Sequence, residues 1–392
     1  MTANAVPTPD PSPNDEAPSS GVARMVRLIR ESWAVVEPQA EEATRYFYSI
    51  LFSISPQTRE MFPINLETQR NRLLRALAHF IQMVDRPDEL LPFLHQLGRD
   101  HRKFGVVTSH YEAVGTALLA AIKKYSGDAW TPQVERAWAE AYTVMASAMT
   151  EAASNDPGPA WYNGEVIDHQ RLSWDIAVIR IRTEYPVPYA PGQYVSVETP
   201  QRPRLWRYLS PANAPDEDGL LEFHVRAVQG GWVSRALVHH TRPGDQWRIG
   251  APMGRMTVDR ENSPDVLMIA GGTGLAPMRA IIQDLAQYGT NPNVHLFYGG
   301  RTPEDLYDLE AMQQVMVSNP WLTVTPVVET GADTVYGAES GTLAEAVTKH
   351  GAWEDRDVLV SGSPEMIRAT ISRLLVAGTP LDHIRYDPFT TD

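Results

Sequence analysis

Val266-Leu267-Met268-Ile269-Ala270-Gly271-Gly272-Thr273-Gly274-Leu275-Ala276-Pro277 is an apolar run of strand length that breaks into glycines and then into a helical stretch, Met278 to Tyr288. Glycines at such a strand-to-helix turn let backbone N–H groups meet a pyrophosphate at the helix N-terminus. Further apolar strands, Val294 to Tyr298 and Val358 to Val360, alternate with helical segments, so the chain from about Asp265 reads as a parallel α/β unit. The strands end in Tyr298-Gly299-Gly300-Arg301 and Ser361-Gly362-Ser363-Pro364.

Two different textures precede this unit. From Val22 to about Asn155 apolar residues recur at three and four, as in amphipathic helices. Asn155-Asp156-Pro157-Gly158-Pro159 breaks that pattern. Beyond it come short alternating segments such as Asp175 to Arg182, which read as antiparallel strands. The expected fold is therefore multidomain: an all-α domain over 21–155, an antiparallel β-barrel domain over 156–262 and a doubly wound α/β domain over 263–392. Residues 1–20, rich in Pro, Ser and Asp, are expected to form a disordered tail, and they lack the apolar core of a secretory signal.

Composition narrows the chemistry. At 392 residues the chain has room for two or three domains. Lys and Arg number 34 against 48 Asp and Glu, a net charge of −14 that argues against nucleic acid or an anionic membrane as the main partner. No run approaches the ~18 apolar residues of a membrane span, and with no address label visible a cytoplasmic location is expected. The cysteine count is 0, which excludes disulfides, iron–sulfur clusters, cysteine zinc sites, thiolate-ligated haem and cysteine nucleophiles.

In the helical region, Leu90, Leu94, Leu97 and His101 share one face, so His101 points where its helix packs. Alone, this placement suits a hydrogen-bonded core histidine as well as an iron ligand. His79 shares its face with Arg72 and Arg75, His95 lies on a mixed face, and His110 falls inside an expected capping box, Ser109-x-x-Glu112. Tyr48, beside Leu51 and Phe52, puts a phenol on an apolar face, where its hydroxyl needs a partner.

Phe47-Tyr48-x-x-Leu51-Phe52-x-x-x-Pro56 through Phe62 resembles the globin domain of the flavohaemoglobin family, over about residues 25 to 150. The resemblance implies Tyr48 as hydrogen-bond donor to O2, Phe62 stacked on a haem b, Gln69 and Leu73 on the distal helix, His101 as proximal iron ligand and Tyr111 on the proximal side. The family carries a late-helix Glu that bonds the proximal His; here alignment from Trp138 places Asn155 there, with Glu151 about a turn earlier.

The barrel region holds Pro191-Gly192-Gln193-Tyr194, Arg207-Tyr208-Leu209-Ser210 and Gly230-Gly231-Trp232-Val233-Ser234. An Arg can pair with pyrophosphate, a Ser hydroxyl can bond a flavin nitrogen, and a glycine pair lets backbone approach a phosphate. Together these resemble the ferredoxin reductase-like flavin barrel, with the signature Arg-x-Tyr-Ser/Thr. The resemblance implies FAD held by Tyr194, Arg207, Tyr208, Leu209, Ser210, Gly231, Val233 and Ser234. Leu209 stands where the family has the ring-packing Tyr, and Tyr208, one position off, is expected to face the other way.

In the α/β region, Gly272-Thr273-Gly274-x-x-Pro277 is similar to the same reductase family's nicotinamide turn, and Ser361-Gly362 stands where that family has Cys-Gly. Arg301 suits an adenosine ribose or 2′-phosphate, or simply a solvated strand end, which leaves NADH and NADPH both open. Phe389 matches the family's terminal aromatic that covers the flavin. As a whole the resemblance implies a nitric oxide dioxygenase using O2, NO and NAD(P)H, with no obligatory protein partner. The alternatives are a flavin-fed haem peroxidase or hydroperoxide reductase, an oxygen- or redox-sensing globin, and a flavin reductase serving a separate acceptor.

Overall fold

The computed structural model describes residues 18–387. They form two compact units that meet between Pro157 and Gly158.

The first unit is helical: α1 (Pro18–Val36), α2 (Ala40–Ile54), α3 (Glu67–Met83), α4 (Pro87–His101), α5 (Thr108–Ser126) and α6 (Pro132–Asn155). Helix α1 begins inside the segment expected to be a tail. Proline opens α4 and α6, where its missing N–H costs no intrahelical bond, and the Thr131 hydroxyl caps α6 by accepting the Val134 N–H at 3.2 Å. Ile29, Leu51, Leu94, Ala117 and Trp138 pack the core. Gly98 lets α4 approach α6, because a Cβ there would lie 2.2 Å from the Met149 carbonyl oxygen. The expected capping box does not form. Helix α5 starts two residues earlier, with Val107 as its N-cap; valine has no side-chain acceptor for the helix N–H groups, and the His110 ring Nδ1 accepts the Val107 N–H at 3.3 Å.

The second unit opens with β1 (Tyr162–Arg171), β2 (Ile176–Thr183), β3 (Val195–Glu198), β4 (Arg207–Leu209), β5 (Leu220–Arg226), helix α7 (Trp232–His240) and β6 (Gln246–Ile249). The strands pair antiparallel in the order β4-β3-β6-β1-β2-β5, and a bridge between Pro211 and Phe223 joins the two edges into a nearly closed barrel. Val166, Ile179, Val195, Val197, Phe223 and Trp247 fill it.

The remainder alternates strands and helices: β7 (Val266–Gly271), α8 (Leu275–Leu285), β8 (Val294–Gly300), α9 (Leu309–Ser318), β9 (Leu322–Val328), β10 (Glu339–Ser340), α10 (Leu343–Lys349), β11 (Asp357–Ser361), α11 (Pro364–Ala377) and β12 (Ile384–Tyr386). All six strands run parallel in the order β10-β9-β8-β7-β11-β12. Val266, Met268 and Ala270 face one core layer, and Leu267 and Ile269 the other. Burial on both faces explains why the strand reads as an unbroken apolar string. Strand order reverses between β7 and β11, and a ligand crevice belongs at their carboxyl ends. Pro277 sits in the first turn of α8, where proline is tolerated. Among the described residues no helix is long and apolar enough to cross a membrane.

Candidate functional site

In the helical unit, the two sides of the expected haem site come from different helices. Tyr48, in α2, is 4% exposed and touches Phe62 and Phe52 at ring-centroid distances of 5.5 and 5.7 Å. Burial pushes its phenol well above the ordinary value, against a hydrogen bond with the Gln69 side chain and the charge of Arg70. The hydroxyl therefore stays protonated and remains a donor. Gln69 lies in the first turn of α3, and Leu73, one turn on, packs at the edge of the core.

His101 ends α4. Its Nδ1 lies 2.7 Å from the Leu97 carbonyl oxygen, so Nδ1 carries the proton and Nε2 keeps its lone pair. Burial lowers its pKa, opposed by Asp100 and by that carbonyl bond, which leaves the imidazole neutral. A neutral ring with a free Nε2 is the state that ligates iron, and the partly buried Phe52, Phe62, Leu73, Phe93 and Leu97 supply apolar surface suited to a macrocycle. These residues fit a haem. The ring's partner is a backbone carbonyl, while Glu151 is exposed on α6. Tyr111 is half-buried on α5, and its carbonyl accepts the Tyr142 hydroxyl. His79 is held edge-on to Phe93 at 4.6 Å.

In the barrel, strand pairing shows which way Tyr208 and Leu209 face. Opposite residues of an antiparallel pair share a face, and the register sets Leu209 against Val195 and Tyr208 against Ser196. Leu209 accordingly packs, partly buried, against the barrel core beside Val195. Tyr208, 41% exposed, takes the other face, where its ring meets Tyr194 edge-on at 5.1 Å. The two side chains thus face opposite ways, as successive residues of a strand do. Arg207 donates from Nη1 to the Trp206 carbonyl at 3.0 Å, and Ser210 follows the strand, half-buried.

At the start of α7, Gly231 admits no side chain: a Cβ would lie 2.5 Å from Ser234 Oγ and 2.6 Å from Val228 Cγ2. Ser234 Oγ accepts the Val228 N–H at 3.2 Å and so folds the loop onto the helix. Val233 is buried in the barrel core, and only its main chain remains for a ligand. A cavity of about 600 Å3 opens here, lined by Arg202, Gly230, Gly231, Trp232, Arg235 and His239. Glycines at a helix start with arginines around them fit the phosphates of a flavin dinucleotide.

Sequence reasoning missed Asp387. Its carboxyl is 5% exposed, Oδ2 has no hydrogen-bond partner, and Oδ1 lies 3.0 Å from where a Gly254 Cβ would stand, beside the Tyr194 ring. Burial raises its pKa to about 7, against a hydrogen bond from the Arg255 backbone. A lone aspartate in Tyr386-Asp387-Pro388 carries no sequence signal of burial. Phe389 lies outside the described residues.

In the parallel sheet, Gly272-Thr273-Gly274 forms a tight turn after β7, with Gly272 at φ +54°. A Cβ on Gly274 would lie 2.4 Å from the Ser361 carbonyl oxygen, so this turn and Ser361-Gly362 at the end of β11 press together at the switch point. Gly272, Thr273, Gly274, Pro277, Ser361 and Gly362 thus gather there. Arg301 follows β8, the neighbour of β7, with an exposed side chain and its backbone N–H donating to Asp305 Oδ2 at 2.8 Å.

Comparisons with known proteins agree with this division. Residues 45–149 match the Globin family, 163–258 the Oxidoreductase FAD-binding domain and 268–371 the Oxidoreductase NAD-binding domain. The flavohemoprotein of Bacillus subtilis is 26% identical over 387 residues, 93% of this chain and 96% of its own. That of Bordetella parapertussis is 31% identical over 284 residues, 66% of this chain and 69% of its own. Among solved structures, the flavohemoglobin of Malassezia yamatoensis with bound FAD and heme shares the fold, with a TM-score of 0.78 at 19% identity over 93% of this chain and 98% of that one. Haem, FAD and a nicotinamide dinucleotide are the cofactors of these three domains. With a globin joined to an FAD- and NAD-binding oxidoreductase in one polypeptide, the chain belongs to the flavohaemoglobin family.

Proposed function

We propose that the protein is an NAD(P)H-dependent nitric oxide dioxygenase. When bound, FAD divides the hydride pair from NAD(P)H into single electrons, and haem iron supplies the site where O2 reacts with NO. Each NAD(P)H furnishes two electrons, so two NO and two O2 leave as two nitrate ions with release of one proton.

The buried, protonated Tyr48 beside Gln69 is the observation that carries this reading. In it, Tyr48 aims an O–H at the negative charge that builds on dioxygen, where a charge-assisted bond is strongest. Gln69 orients that hydroxyl, Phe62 and Leu73 bound the pocket, His101 holds the iron through Nε2, and Tyr111 supports the proximal side. On the reductase side Tyr194 and Tyr208 face the flavin, while Arg207, Ser210 and the Gly231–Ser234 turn hold its polar parts. Gly272 to Gly274, Pro277, Ser361 and Gly362 hold the dinucleotide, and Arg301 meets its adenosine end. The break between Pro157 and Gly158 supports a haem domain ending near residue 155.

The carbonyl partner of His101 favours oxygen chemistry over the peroxidase alternative. A carboxylate there would raise the imidazole's electron donation, as hydroperoxide cleavage requires, and a neutral carbonyl does so less. The small-molecule partners and a cytoplasmic location belong to the same proposal. The test is anaerobic reduction of the purified holoprotein by NADH or NADPH, followed by O2 with NO while nitrate is measured. Two nitrate per dinucleotide is expected; haem and flavin bands without nitrate would overturn the assignment.

A further inference from the structure

Strand β5 carries a polar ladder on the face turned away from the barrel core. Leu221, Phe223 and Val225 point inward, so Glu222, His224 and Arg226 line the opposite face. On an open barrel that face meets water. Here Glu222 and His224 are each only 7% exposed, because the nicotinamide domain covers them.

Each rung ends on that domain. Arg279 Nη1 donates to Glu222 Oε1 at 2.9 Å, the Tyr307 hydroxyl lies 2.7 Å from His224 Nδ1, and Arg226 Nη2 donates to Asp305 Oδ1 at 2.5 Å. Burial would raise the Glu222 carboxyl, but its hydrogen bond with His224 and the charge of Arg279 lower it to about 2. It is therefore an ionised acceptor. His224 Nε2, 3.0 Å from Oε1, donates to that carboxylate, and the Tyr307 hydroxyl closes the other side of the ring at Nδ1.

The partners are the segments that frame the dinucleotide turn. Arg279 sits on α8, which begins directly after Gly272-Thr273-Gly274, and also donates to the Ala212 carbonyl at 2.7 Å. Asp305 and Tyr307 follow the glycine end of β8. Arg226 Nη1 lies 3.5 Å from where a Gly272 Cβ would stand. Glu222 is the hub: Oε2 accepts Arg180 of β2 at 2.6 Å, and Arg180 in turn pairs with Asp168 of β1 at 2.6 Å. Buried charge of this kind is weak evidence for stability, and its best-attested use is to fix registry.

We propose that Glu222 is a positioning residue, whose ladder with His224 and Arg226 sets the register of the nicotinamide domain on the flavin barrel and so the approach of nicotinamide to flavin. This rests on the reductase reading above. The reaction served is transfer of a hydride, two electrons with one proton, from reduced nicotinamide to oxidised flavin, leaving oxidised nicotinamide. A misplacement of about 1 Å can cost on the order of 100-fold in such a step.

The test is rapid mixing of the anaerobic holoprotein with whichever of NADH and NADPH reduces the wild-type flavin. Glu222→Gln is expected to lower the flavin-reduction rate at saturating dinucleotide by about 30-fold or more, with a change of less than about 3-fold in the half-saturating concentration. The long-wavelength charge-transfer band of the flavin–nicotinamide complex is expected to weaken. A merely structural role would instead lower FAD content and leave rate and band intact in the FAD-loaded fraction. Tyr307→Phe removes one rung and keeps the ring; a smaller fall of about 3- to 10-fold is expected, and it decides the matter if Glu222→Gln does not fold. Unchanged rate and band in the folded variants overturn the ladder alone. A wild-type flavin that neither dinucleotide reduces overturns the reductase reading and the ladder's role with it.

Discussion

Asp387→Asn isolates the energetic cost of a buried carboxyl. Asp387 titrates at about 7 in the folded chain and at 3.8 when unfolded, because burial penalises its anion. Between those values the folded chain holds a proton that the unfolded chain has lost. The stability associated with the neutral carboxyl is therefore whole below pH 3.8, declines as pH rises, and is gone above about 7. At about 1.4 kcal/mol per pH unit the full difference is roughly 4 kcal/mol, a ceiling because water and side chains relax around a buried charge. Asparagine keeps the shape and stays neutral throughout. The variant should match the wild type near pH 4 and exceed it by up to ~4 kcal/mol at pH 8, or roughly 8–16 °C in the melting temperature of a unit this size. Scanning calorimetry of FAD-saturated protein from pH 4 to 8, following the reductase transition, reads this directly. A gap between variant and wild type that does not change with pH would refute the reasoning, as would an asparagine variant less stable at pH 8.

Three further perturbations probe the other sites. Tyr48→Phe removes a donor worth about 1.5–3 kcal/mol to a charged acceptor, so the oxygenated haem should autoxidise roughly 10- to 100-fold faster in air; an unchanged lifetime counts against the role of Tyr48. Gly274→Ala drives a methyl to within 2.4 Å of the Ser361 carbonyl oxygen, and backbone must move. Ferricyanide reduction by NAD(P)H should show a KM raised by about 10-fold or more, as expected if a nicotinamide turn shifts by a fraction of an ångström. Gly98→Ala places a methyl 2.2 Å from the Met149 carbonyl oxygen and should cost about 1–3 kcal/mol of overpacking, read as a lower globin melting transition and faster haem loss.

What the sequence made legible follows from range. Strand β7 and its glycine turn announce themselves because an apolar string, a turn and a helix start are all local, and the structure extends the expected strand by a single residue, to Gly271. His101 was legible for the same reason, since helical spacing alone aims it with Leu90 and Leu94. Asp387 was not: its burial comes from Gly254 and Tyr194, far away in the chain. Strand β5 shows the limit most plainly. Leu220-Leu221-Glu222-Phe223-His224-Val225-Arg226 alternates as a half-exposed strand should, and period two assigns Glu222 and His224 to solvent. They are buried because a second domain supplies the missing partners, Arg279 and Tyr307. The same logic separates Tyr208 from Leu209. A motif fixes spacing along a strand, but the face that each residue takes is set by the neighbour it pairs with, and Val195 commits Leu209 to the core. Chemistry that depends on which face is covered therefore has to be read from pairing between strands, and in this chain that pairing returns a tyrosine, Tyr208, to the side where Tyr194 already stands.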